Sequence, residues 1–102
     1  MNTYRQQLTI NTDSSEQFLN LTFEVEECVR RSLICEGLCV VYSQHTTSAV
    51  FLENDREELY SDWSKMLGKI VPHESDYKVD YSSAGAAHMK QMLLGASVTV
   101  PV

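Results

Sequence analysis

Leu38-Cys39-Val40-Val41-Tyr42-Ser43-Gln44-His45-Thr46-Thr47-Ser48-Ala49-Val50-Phe51-Leu52-Glu53-Asn54 is the stretch on which the reading of this 102-residue chain turns. Two apolar, β-branched runs, Leu38 to Ser43 and Ala49 to Leu52, read as strands. Their nearly continuous apolar character places them in the middle of a sheet. Between them lies a polar insert, Ser43 to Ser48, made of hydroxyls, an amide and one imidazole. Next to buried strands each of those groups needs a partner, either the backbone or a ligand. If the first strand stays regular, Cys39, Val41, Ser43 and His45 share one face, which puts His45 at a strand end.

Upstream, Tyr4, Leu8 and Ile10 fall on one parity of the stretch Tyr4 to Thr12, predicting a first strand at a sheet edge. Asp13 to Glu16 reads as a turn. Thr22 is the expected N-cap of a helix whose apolar stripe is Val25, Cys28, Val29 and Leu33. Glu24, Glu26 and Glu27 lie early in it and Arg30 and Arg31 late, as the helix dipole favours. Gly37 is the expected stop or loop residue before the next strand.

Downstream, Asp55 to Lys69 reads as a second helix, with Leu59, Trp63, Met66, Leu67 and Ile70 at helical spacing and Pro72 ending it. That spacing makes Trp63 a core anchor rather than a stacking platform. Tyr77, Val79 and Tyr81 alternate and permit a short strand. Ala84 to Leu94, with His88, reads as a third helix stopped by Gly95, and Ser97 to Val102 as a last strand. Strands and helical stripes interleave without a strict βαβ repeat. The expected fold is therefore α+β: one domain over 1–102, a mixed, mainly antiparallel sheet with about three helices against it.

A net charge of −6 and a pI near 4.9 argue against a nucleic-acid surface, which needs a basic face. No stretch approaches about 18 consecutive apolar residues, so no membrane span is expected. The polar N-terminal residues do not look like a signal peptide, and the expected location is cytoplasmic. Cys28, Cys35 and Cys39 cannot all pair within one chain and are too loosely spaced for a metal site. Each is expected to be a reduced, small, buried hydrophobe. The three histidines, His45, His73 and His88, are far apart, and spacing alone makes no H-x-x-x-H metal pattern.

His45-Thr46-Thr47-Ser48-Ala49 followed by Glu53-Asn54 resembles the HTT[SA]-x-x-x-x-EN signature of the YjbQ-like family, small α+β proteins described as secondary thiamine-phosphate synthases. Glu36-Gly37-Leu38, Val71-Pro72, Ala87-His88-Met89-Lys90 and Leu93-Leu94-Gly95-Ala96-Ser97-Val98-Thr99-Val100-Pro101-Val102 match in the same order. The resemblance implies a shared pocket with His45 and His88 as ligands of a divalent metal (zinc, nickel or magnesium). In it, His45 and Glu53 would do the acid–base or ligand work. Thr46, Thr47, Ser48, Asn54 and Lys90 would contact a small phosphorylated substrate.

The implied reaction joins a pyrimidine diphosphate to a thiazole phosphate and releases pyrophosphate, in a homo-oligomer, trimeric by resemblance. This chain departs from the pattern in several places. Val79 stands where the family carries a further histidine, and neither His73 nor Asp80 aligns with it. The connection after Asn54 is short, and the final Val100-Pro101-Val102 is where family members continue into further strands. Those departures imply a short or C-terminally truncated member. They also leave an alternative open: a non-catalytic, metal- or anion-binding oligomeric module with a degenerate site.

Overall fold

In the computed structural model, residues 2–79 and 84–102 are described. Their elements run α1 (Thr22–Ser32), β1 (Leu38–Tyr42), α2 (Leu59–Ile70), α3 (Ala84–Leu94) and β2 (Ser97–Pro101). The fold is α+β. Among the described residues its sheet is a single pair, β1 beside β2. The Ser43 N–H donates to the Ala96 carbonyl (2.8 Å) and the Val102 N–H to the Gly37 carbonyl (2.9 Å). Those two bonds fix an antiparallel register that sets Val40 opposite Thr99. Both strands alternate, with Cys39, Val41, Val98 and Val100 half-buried and Leu38, Val40 and Tyr42 exposed.

Two strands expected from sequence do not form. Residues 4–12 are irregular and exposed throughout, with no ladder partner among the described residues. An alternating pattern defines a face but supplies no partner, and without one the backbone stays solvated. Residues 49–52 are also irregular, and the Val50 N–H makes a bond to the Gly95 carbonyl at 3.1 Å. The apolar run there serves packing: Phe51 meets Trp63 edge-to-face, with ring centroids 5.4 Å apart. Of the third expected strand, 77–79 is irregular, and Asp80 and Tyr81 lie outside the described residues.

The helices follow the sequence more closely. Thr22 opens α1 rather than capping it, because Asn20 Oδ1 takes both its backbone N–H (3.0 Å) and its hydroxyl (2.6 Å). Leu33, not Gly37, ends α1: it is left-handed at φ 61°, and its N–H reaches the Arg30 carbonyl. Leu33 therefore leaves the stripe and is 85% exposed. A chain of turns over 54–58 delays α2 to Leu59, and at its far end the Val71 N–H bonds the Leu67 carbonyl at 2.7 Å ahead of Pro72. Gly95, at φ +94°, ends α3 with its N–H on the Gln91 carbonyl (2.8 Å). Only glycine takes that backbone without strain.

The chain divides into two compact units, residues 1–39 with 100–102 and residues 40–99. The second holds the buried apolar side chains, Leu67, Val71 and Ala86. Trp63 is half-buried there, between Phe51 and Tyr60 (centroids 5.2 Å apart), as its helical spacing led one to expect. Gly85 is buried as well. A Cβ on it would fall 2.5 Å from the Tyr77 Cβ, so Tyr77 and Val79 pack directly on the helix backbone. In the first unit α1 buries no residue completely. All three cysteines are free; Cys28 and Cys39 are half-buried, whereas Cys35, in the turn after α1, is exposed.

Candidate functional site

The polar insert is a loop held at both ends by one short turn. It enters at Ser43, whose N–H is on Ala96, and leaves at Val50, whose N–H is on Gly95. Gly95 and Ala96 are the turn between α3 and β2, so the left-handed glycine there fixes entry and exit together. Across the mouth, the Ser43 and Ser48 hydroxyls hydrogen-bond to each other. Near the apex, His88 Nδ1 lies 3.1 Å from the Thr46 carbonyl oxygen. One segment is thus tied to the turn, to itself and to α3.

The contact with Thr46 decides the chemistry of His88. A carbonyl oxygen only accepts, so Nδ1 carries a proton in this contact, and in the neutral ring the lone pair then falls on Nε2. An imidazole oriented through Nδ1 by a backbone carbonyl is the arrangement in which Nε2 serves as a metal ligand or a base. The peptide between Thr46 and Thr47 is trans, so the Thr47 N–H points away from the carbonyl that faces His88. At this peptide the loop therefore turns a carbonyl, not an amide donor, toward His88.

The remaining candidates are placed unevenly. His45 lies past the end of β1 on the exposed loop, one residue from the Thr46 contact, so the strand face shared by Cys39, Val41 and Ser43 does not extend to it. Thr46, Thr47 and Ser48 are exposed on the same loop. Glu53 and Asn54 are exposed too, and Glu53 Oε1 accepts from the Asn54 N–H at 2.8 Å, so the pair partly satisfies itself. Lys90 is two residues after His88, about 200° round α3, and does not share its face. His73 is exposed in the bend after α2. Among the described residues no three or more His, Cys, Asp or Glu side chains converge on a metal position. The chain's own donors therefore fit a metal only in part. Ser43, which sequence reasoning did not single out as a site residue, is the one that closes the loop. Its only signal was its place on the Cys39–Val41 parity at the strand end.

Two open hollows, of about 310 and 560 Å³, lie in the first unit, around Leu8 and Leu21 and around Leu33 and Leu38. Neither is lined by a candidate site residue. Among the described residues no helix is long and apolar enough to cross a membrane.

Comparison with known proteins agrees with the loop motif. A UPF0047 protein of Archaeoglobus fulgidus is 37% identical over 97 residues, which is 94% of this chain and 75% of that protein. One of Methanothermobacter thermautotrophicus is 34% identical over 103 residues, covering all of this chain and 72% of that protein. Among solved structures, an uncharacterized YjbQ/UPF0047 protein of Clostridium acetobutylicum superposes with a TM-score of 0.83 at 30% identity, over 91% of this chain and 72% of the other. The fold is shared as well with a YbjQ-like protein of Sulfolobus solfataricus, at a TM-score of 0.86 and 23% identity, over 91% and 68%. The family model described as UPF0047 protein YjbQ-like matches residues 6–102, and the chain belongs to that family.

Proposed function

We propose that this chain is a ligand-binding module whose histidine loop takes a divalent cation, and that it does not carry the pyrophosphate-releasing transferase reaction implied by family resemblance. The observation that supports this reading is the Nδ1 contact of His88 with the Thr46 carbonyl, which leaves Nε2 free to coordinate. His88 and His45 are the two protein ligands. Imidazoles favour zinc or nickel over magnesium. With two protein ligands the other positions fall to water or to oxygens of a small phosphorylated ligand, which the Thr46 and Thr47 hydroxyls would help to hold.

A transferase would also have to neutralise a leaving pyrophosphate. Lys90, the candidate cation on α3, sits on another face from His88, and Glu53 is engaged with its own neighbour. Both arrangements favour binding over turnover. The module is read as a homo-oligomer, trimeric by family resemblance, because the outward face of β1 presents Leu38, Val40 and Tyr42 at 73%, 63% and 64% exposure. Apolar side chains on the solvent side of an antiparallel pair are what an interface covers.

Zinc titration of the metal-stripped chain, followed by calorimetry, tests the reading. About one zinc should bind per subunit, and His45→Ala and His88→Ala should each weaken it at least about tenfold, the scale of a lost ligand or its orienting shell. An assay of pyrophosphate release from the two phosphorylated precursors should stay at background. A wild-type chain that takes up no zinc, or variants that bind it equally well, would sink the cation site. Release above background that depends on His45 would restore the transferase.

A further inference from the structure

We infer that Ser43 and Ser48 are positioning residues for His88, acting through the loop they close. The hydroxyl pair ties residue 43 to residue 48 and leaves Gln44 to Thr47 as a short arch. Thr46, near the crest of that arch, puts its carbonyl 3.1 Å from His88 Nδ1. The two ends are independently fixed, Ser43 on Ala96 and Val50 on Gly95, so the hydroxyl pair is not what holds the chain in place. What it adds is a shorter closure inside those anchors. Fewer free residues leave fewer conformations in which the Thr46 carbonyl can turn from the ring.

The ring does not hold this state by itself, because a free histidine side chain exchanges its proton between the two nitrogens and favours Nε2–H. Held by Thr46, it stays as the Nδ1–H form and keeps its lone pair on Nε2. Ser43 and Ser48 thus set the protonation pattern of a histidine that neither touches. The use made of Nε2 rests on the cation reading above, whereas the control of its tautomer does not.

The test is the nitrogen-15 spectrum of the His88 ring in the metal-free chain, at about pH 8.5, where an ordinary imidazole is neutral. The wild type should show mainly the Nδ1–H form. Ser43→Ala and Ser48→Ala should each lower the ratio of Nδ1–H to Nε2–H about fivefold, the scale of one net hydrogen bond. The double variant should be no worse than either single one, since both remove the same bond. Ser43→Thr, which keeps a hydroxyl, should restore the ratio, and amide spectra of each variant check that the fold is kept. An unchanged ratio in both alanine variants, or a wild type already in the Nε2–H form, overturns the inference. A wild type with the expected tautomer that nonetheless ignores zinc would leave the inference standing and remove only the cation reading.

Discussion

Residues 40–99 and the remainder of the chain use the same kinds of element to different ends. In the first of these regions α2 and α3 are seated: Leu67 and Val71 are 5% exposed and Ala86 2%, and Trp63 stands between Phe51 and Tyr60. In the other, α1 has an amphipathic stripe yet buries none of its residues, and Phe23 and Leu33 are 68% and 85% exposed. A stripe is a local property and forms a helix wherever capping and spacing allow. Burial depends on what comes opposite, which spacing does not say. The candidate loop belongs to the seated region, and its geometry depends on that seating through Phe51, Gly95 and His88.

The largest test of this contrast is Trp63→Ala. Trp63 makes the edge-to-face contact with Phe51, which leads out of the loop. Truncating it removes that pair and most of the apolar area the side chain covers, a loss of about 3 kcal/mol for a large aromatic. Urea unfolding should show the midpoint falling accordingly, whereas Phe23→Ala on α1 should move it little. Equal losses in the two variants would mean that α1 is as firmly seated as α2, and the contrast would fail.

Gly95→Ala is subtler, because nothing lies within 4 Å of the added methyl group. Its cost is purely conformational: φ +94° is a glycine region, and alanine there should cost about 1–2 kcal/mol. That strain falls on the residue whose carbonyl holds Val50 and whose neighbour holds Ser43. Amide exchange at Ser43 and Val50 should therefore quicken by more than global destabilisation accounts for. If both amides follow the global change alone, the turn does not anchor the loop.

These two residues also mark what the sequence could and could not disclose. Trp63 as an anchor, Gly95 as a stop, and the helices of the seated region were legible because each rests on periodicity or on backbone chemistry within a few residues. The strand expected at 49–52 was not, since a short apolar run reads alike whether it joins a sheet or packs on an aromatic ring. The alternation of Tyr4, Leu8 and Ile10 was real, but the partner it needs is a long-range matter. At the site, His45 and the hydroxyls stood out by their polarity between apolar runs, and His88 by family resemblance. The bond from His88 to Thr46 spans 42 residues and ends on a backbone atom, which carries no residue identity to read. The exposure of Cys35 has a similar origin, because it follows from where α1 stops.

Leu33 offers the smallest effect and the one of opposite sign. It is a bulky residue in the left-handed region at φ 61°, and being 85% exposed it gains little from packing. Holding a non-glycine residue there costs about 1–2 kcal/mol, and glycine gives back roughly half of the relief through the greater freedom of the unfolded chain. Leu33→Gly should therefore stabilise the protein by about 0.5 kcal/mol, seen as a small rise in the urea midpoint at unchanged slope. The sign matters more than the size, because at the buried positions of residues 40–99, such as Leu67, the removal of a large apolar side chain should only destabilise. A midpoint that falls would show that the Leu33 side chain is covered in the protein as it exists in solution. The face around it, with Leu38, would then be covered, as the proposed homo-oligomer requires, rather than left to solvent.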